Sequence, residues 1–445
     1  MMMLSEAVAL LGGRLSGREV GFSGVSTDTR SLRAADLFVA LRGERFDGHG
    51  FLKDAAAAKA AAALVDGRYN GEFPLPVAIV QDTRLALGDL ARHWRSRFGP
   101  ALIAVTGSNG KTTVKEMLAS ILRTHAGDAA VLATAGNLNN DIGLPLTLLR
   151  MRQEHRWCAI ELGMNHRGEI AYLAAIARPT VALVNNAQRE HLEFMRSVDE
   201  VAAENASVYE ALAPDGVAVV NADDPQAALF RARAAGRRVV DFGVDASAGV
   251  SAKYRLQPLT SDVSITTPAG ELQATLAIPG LHNVRNALAA AACAFAAGVG
   301  LGAIGEGLTA FRPYAGRLQV KQARGGATLI DDTYNANPDS VRAAIDVLAS
   351  CPGPTVLVLG DMGEVGDQGP QFHREVGAYA RSKGISSLLA LGEATRHAVE
   401  AFGAGATHFD TVEDLVPGVE GKSILVKGSR FMKMERVVAA LMGGH

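Results

Sequence analysis

The chain has little of what marks several classes of protein. It carries three cysteines, Cys158, Cys293 and Cys351, each in or beside an apolar stretch. That excludes a disulfide framework, shows no metal-ligand spacing, and suits a reducing cytoplasm. Charge of one sign is missing too: the formal net charge is −2, and Lys and Arg are scattered without a basic block, so there is no nucleic-acid footprint. No apolar run approaches the length of a membrane span. The opening MMMLSEAVALLGG has neither a basic segment nor a small-residue cleavage site and reads as an amphipathic helix.

What is present is core material. Over 445 residues, 48% are hydrophobic and 20% charged, a globular composition too long for one ordinary core. Short β-prone runs alternate with helical patterns, which predicts an α/β protein of three domains, 1–100, 101–311 and 312–445. The first is a small α/β module with an alanine-rich helix at Asp54–Ala63. The second is a mostly parallel sheet of P-loop type, with β-prone segments from Arg238 to Ala277 forming a small antiparallel appendage. The third is Rossmann-like but lacks a GxGxxG fingerprint, so dinucleotide binding is not expected.

The chemistry concentrates in Ala101–Thr113, ALIAVTGSNGKTT. A β-prone apolar run ends in a glycine-rich turn, and Val114–Leu122 continues at helical spacing. Glycines at a strand-to-helix junction let backbone N–H groups curl around phosphate, and Lys111 adds a full charge. Gly107, Ser108, Asn109, Gly110, Lys111, Thr112 and Thr113 are the predicted triphosphate cradle, with Thr112 placed to ligate magnesium. The usual pattern has its first glycine where Val105 stands; here Gly107 comes first.

Trp157–Glu161 is an apolar strand delivering an acid to its end. Because strand ends on one side of a parallel sheet converge, Glu161 is the expected magnesium ligand. The amide-rich loop Gly136–Pro145, with Asn137 and Asn140, precedes an apolar helix start and suits capping as well as ligand contact. Gly280–Asn286, with Asn283 and Asn286, opens an alanine-rich helix, and His282 and Asn283 suit an N-cap. Ser26, Thr27, Asp28 and Arg30, followed by a loop with Arg45 and His49, offer hydroxyls, an acid and cations for a nucleotide diphosphate, or equally a capped turn.

The spelling Thr106–Thr113 resembles the Mur ligase family of ATP-dependent amide-bond synthetases. That resemblance, which covers the whole chain, implies further roles. His191 is identified with the family histidine that helps hold a second magnesium. Asn286, supported by Asn283, corresponds to the adenine contact, Arg317 to a mobile arginine reaching the γ-phosphate, and Asp332 to a nucleotide-contacting acid. The Ser26 stretch resembles a UDP-binding module. Asn335, Asn337, Asp361, Glu364 and Lys427 lie in motifs (YNANP, GDMGE, KGSRFM) resembling the member that joins D-alanyl-D-alanine to a UDP-N-acetylmuramoyl tripeptide through an acyl phosphate. No Asp-Asn-Pro-Arg sequence, a mark of diaminopimelate-adding relatives, occurs.

One departure stands out. Relatives commonly place a carbamylated lysine fourteen residues beyond the histidine, and here that position is Asn205. Glu204 or Glu193 are the acids near it. The implied cofactors are ATP and Mg2+, the implied partners two small-molecule substrates, and the implied form a cytoplasmic monomer whose third domain swings over the phosphate loop. A nucleotide-switched binding protein, a folate-glutamate ligase, and a diaminopimelate- or lysine-adding ligase are the competing readings.

Overall fold

A computed structural model describes residues 1–43 and 46–443. At its centre is a nine-stranded sheet. Ala101–Thr106 lies between Trp157–Glu161 and Val181–Val184, all parallel, with Val217–Asn221 and Arg238–Gly243 continuing on one side. Leu102 to Val105 are completely buried, as expected where helices cover both faces of a parallel sheet. Register then fixes the site: Glu161 pairs with Val105, and Thr106 with Val184, so the phosphate loop, Glu161 and the Asn185–His191 segment leave the sheet at one edge.

The expected antiparallel appendage is instead the far end of this sheet. Arg238–Gly243 runs parallel to Val217–Asn221, and only Val250–Leu256, Ser261–Thr267 and Gly270–Leu276 are antiparallel. The Arg238 strand alternates little and its core residues Val240 and Phe242 pack beneath the alanine-rich helix Leu281–Ala296, so it belongs to the parallel run.

The N-terminal five-stranded sheet holds Asp36–Val39, Ala62–Asp66 and Val77–Val80 in parallel. The helix expected over Asp54–Ala63 is shorter, Leu52–Ala57. Lys59 turns the chain with φ of 66°, and Ala62 and Ala63 enter a buried strand, because alanine fits a crowded parallel sheet as well as a helix. The helix Thr83–Ser96, capped by Asp82, leads from this sheet to the central one. There Trp94 Nε1 donates to Met151 O at 3.0 Å and Arg95 Nε to Ala177 O at 3.1 Å.

The C-terminal sheet places Thr328–Asp332, Ser423–Lys427, Thr355–Gly360, Ser387–Leu391 and Ala406–Phe409 in parallel, with Gln319–Gln322 antiparallel at one edge. Helix Pro338–Ala349 starts in a capping box, Asn337 with Ser340. This unit is docked on the phosphate-loop edge. Arg189 bridges the two: it reaches Asp339 (Nη2–Oδ1 2.5 Å) and Glu375 (Nη1–Oε2 2.8 Å) and lies over the Phe372 ring.

Candidate active site

Two glycines shape the phosphate loop. Gly107 has φ of 129° and Gly110 φ of 81°, and a Cβ on Gly110 would sit 2.3 Å from Asn286 Oδ1. Only glycine lets the backbone take this path against Asn185 and Asn286. Lys111 Nζ, at the start of helix Lys111–Ala126, donates to Gly107 O (2.6 Å), Ser108 O (2.9 Å) and Glu190 Oε1 (3.1 Å).

Glu190 touches His191 as well, at 3.4 Å from its Nε2. Burial works against the charge on Glu190, but Lys111 and His191 hold its carboxyl below the usual range. His191, at φ of 53°, has Nδ1 2.6 Å from Glu364 Oε2, off the hydrogen-bond axis. Burial opposes its charge too, yet Glu190 and Glu364 raise it to about 9.

Glu161 is 2% exposed. Its Oε1 accepts from Asn139 Nδ2 at 2.7 Å, while its buried Oε2 has no partner. An orphaned buried carboxylate oxygen is costly unless something cationic meets it, and a hard cation fits. Thr112 Oγ1 is within 3.3 Å of Arg317 Nη2. Arg317 lies with its guanidinium carbon 3.9 Å from the Tyr334 ring centre, and its buried Nε is unpartnered. Among the described residues, no three His, Cys, Asp or Glu side chains are placed to hold a metal on their own.

These groups line a cavity of about 720 Å³ between the central and C-terminal sheets, with Arg84 of helix Thr83–Ser96 also lining it. Of the predicted residues it gathers Ser108, Asn109, Gly110, Lys111, Thr112, Glu161, His191 and Arg317. Asn137 and Asn140 border it from the amide loop, and Asn335, Asn337, Glu364 and Lys427 from the C-terminal unit. A second cavity of about 450 Å³ adjoins it, lined by Thr113, Asn283, Asn286 and Asp332 with His282. There Asn286 Oδ1 accepts from Asn185 Nδ2 (3.0 Å) and Asn286 Nδ2 donates to Asn283 Oδ1 (3.0 Å). Asp332 Oδ2 accepts from Lys427 Nζ at 2.5 Å, a buried pair joining two strand ends. Asn109 and Asn337 exchange amide hydrogen bonds across the domain junction, 2.9 Å from Asn337 Nδ2 to Asn109 Oδ1.

Other predicted residues fall elsewhere. His49 is a core histidine: Asp47 Oδ1 lies 2.6 Å from Nδ1, and Nε2 accepts from Asp66 N at 3.0 Å, which leaves no ring nitrogen for a ligand. Asp361 turns from the cavity and accepts from Thr395 N at 2.9 Å, capping the next loop. Ser26, Thr27, Asp28 and Arg30 are outside both cavities, with Asp28 and Arg30 paired at 2.6 Å. Arg45 lies outside the described residues. Asn140 caps as well as borders, its Oδ1 accepting from Gly143 N at 2.9 Å.

The carbamate position is also decided locally. Asn205 is fully buried, accepts from Thr106 Oγ1 at 2.6 Å and donates to Val201 O. Glu204 accepts from Gly168 N and Ile170 N, capping helix Glu169–Ala177, and Glu193 borders neither cavity. The sequence singles out none of Asn139, Arg189, Glu190 and Tyr334, though Asn139, Glu190 and Tyr334 each adjoin a predicted residue and Arg189 lies two before His191. For Glu190 the readable signal was an acid directly before the selected histidine.

Comparison with known proteins gives three family matches: the Mur ligase middle domain over residues 105–294, the Mur ligase glutamate ligase domain over 316–430, and the Mur ligase family catalytic domain over 21–95. The UDP-N-acetylmuramoyl-tripeptide--D-alanyl-D-alanine ligase of Escherichia coli K12 is 41% identical, covering 98% of both chains. A crystal structure of MurF from Acinetobacter baumannii superposes with a TM-score of 0.92 at 36% identity, over 99% of this chain and 98% of that one. MurF from Thermotoga maritima in complex with ADP gives 0.82 at 25% identity, over 94% and 97%.

Proposed function

Because the chain belongs to the Mur ligase family, we propose that it joins D-alanyl-D-alanine to a UDP-N-acetylmuramoyl tripeptide at the expense of ATP, the reaction named for its full-length relatives. The observation that carries this is one cavity into which the phosphate-loop lysine and an orphaned buried carboxylate open from the central sheet, and Arg317 and Lys427 from the C-terminal side.

The chemistry follows from charge. A carboxylate is a poor electrophile, and phosphorylation turns one of its oxygens into a leaving group. The tripeptide carboxylate attacks the γ-phosphate, ADP departs, and the dipeptide amine then displaces phosphate. Two anions meet in the first step. Lys111, released from its loop carbonyls and Glu190, and Arg317, held flat against Tyr334, offset their repulsion. Asn286 and Asn283, fixed by each other and by Asn185, read the adenine in the second cavity. Glu161 and Thr112 would hold the Mg2+ that accompanies ATP, which would supply charge neutralisation at the phosphates.

The cavity's closure by the C-terminal unit excludes water that would hydrolyse an acyl phosphate. Asn335, Asn337, Glu364 and Lys427 face the dipeptide side, and Ser26 to Arg30 the uridine end. The division at 1–100, 101–311 and 312–445, a monomeric state and a cytoplasmic location complete this reading; no helix among the described residues is long and apolar enough to cross a membrane.

The test is phosphate release from ATP with the UDP-tripeptide, with and without D-alanyl-D-alanine, with the product weighed by mass spectrometry. UDP-pentapeptide formed only when all three are present supports the assignment; bound ATP with no pentapeptide refutes it.

A further inference from the structure

Glu190 is the buried acid of this site that neither the sequence motifs nor the proposed roles explain. Its carboxylate, 12% exposed, lies against Lys111 Nζ at 3.1 and 3.3 Å and His191 Nε2 at 3.4 Å, and it lines the main cavity with Thr112 and Glu161. When Lys111 turns to a triphosphate, Glu190 keeps only the His191 ring beside it. A carboxylate left beside phosphates and an attacking carboxylate in a site shielded from water is strongly disfavoured unless a new cation takes the lysine's place.

We propose that Glu190, together with His191, holds a second divalent cation in this chain, its carboxylate supplying the negative charge that relatives draw from a carbamylated lysine. The local alternatives are occupied. Asn205 is buried in hydrogen bonds to Thr106 and Val201, and Glu204 is spent on two backbone N–H groups. Two protein ligands suffice for such an ion, because Mg2+ retains waters and takes phosphate oxygens for the rest of its shell.

A second observation points the same way. The buried Glu161 Oε2 across the cavity has no hydrogen-bond partner, and His191, with Nδ1 turned to Glu364 at 2.6 Å, presents Nε2 to Glu190. Glu161 is not finished by protein contacts alone, and both residues open on the same cavity as Glu190.

The inference rests on the ATP-dependent ligase reading and is tested apart from it by counting Mn2+. Electron paramagnetic resonance titration of the full chain with Mn2+ and a nonhydrolysable ATP analogue reads bound ions directly, without turnover. The wild-type chain is expected to take two Mn2+, and Glu190→Gln to keep the first while binding the second roughly 10- to 100-fold more weakly. Glu190→Asp, which retains the charge on a shorter stem, recovers part of that loss. Retained binding of the analogue and of the first ion shows that a variant is folded. Bicarbonate and carbon dioxide removal leaves the wild-type count at two, since no carbamate is involved. A single ion in the wild type, or an unchanged second ion in Glu190→Gln, overturns the proposal. Absence of UDP-pentapeptide in the separate ligation assay, with two ions still counted, would overturn the ligase reading instead.

Discussion

Arg189→Met removes the guanidinium that ties the central sheet to the C-terminal unit while leaving an apolar stem over Phe372. Arg189 pairs with Asp339 and Glu375 at side-chain exposures of 24, 24 and 28%, between the open-surface case, worth about 0.2–1 kcal/mol, and the fully buried one, where removing a partner costs about 3–5 kcal/mol. Glu375 keeps Arg342 at 2.8 Å, and Asp339 keeps the backbone N–H of residue 189 at 3.0 Å, so neither acid is abandoned. The loss is therefore about 2 kcal/mol, or about 30-fold in the docking equilibrium. Because the contacts lie between units, it appears in docking before it appears in unfolding. Kcat/KM is expected to fall by up to about 30-fold, with a larger radius of gyration in small-angle scattering and a thermal midpoint shifted by only a few degrees. A variant with full kcat/KM and unchanged scattering would refute the view that this ion cluster holds the site closed.

Lys111→Met is expected to lower kcat by about 10²- to 10³-fold with nucleotide binding retained, read by steady-state kinetics and analogue titration. His49→Ala leaves the Asp66 N–H unpaired and costs about 1–3 kcal/mol in urea unfolding, with KM for the UDP substrate unchanged; a raised KM at full stability would return His49 to the binding site. Asn140→Ala removes the acceptor of the Gly143 N–H at a helix start and costs about 1 kcal/mol, again seen in urea, and a KM effect beyond that would mark direct substrate contact. His282 is pushed by burial down to about 4, against the pull of Asp332. Its unfolded value is higher, so the stability it contributes is present above about pH 6.5 and is lost as pH falls toward 4. The pH dependence of unfolding free energy should flatten across that window in His282→Gln.

Legibility in the sequence followed the range of the interactions. The phosphate loop could be read because its function is written in adjacent backbone: Gly107 and Gly110 need positive φ, and Lys111 bonds the carbonyls three and four residues before it. The position of Glu161 at the cavity was legible because a parallel strand's end has a fixed place in the sheet. Where the partner is distant in sequence the reading failed. His49 is satisfied by a backbone group 17 residues away, and Glu190 meets Lys111 across 79. Alanine-rich Ala62–Ala63 and the strand Arg238–Gly243 were misassigned for a related reason: alanine and short β-branched runs take their conformation from the layer they pack against.

Arg189, Glu190 and His191 are consecutive, and each grips a different partner: an acid pair on the C-terminal helices, the phosphate lysine, and Glu364. A small molecule wedged between this segment and helix Pro338–Ala349 would therefore be felt at Lys111 without resembling a nucleotide or a peptide. For inhibitor discovery, the seam itself is a target, and a compound there would compete with closure rather than with ATP.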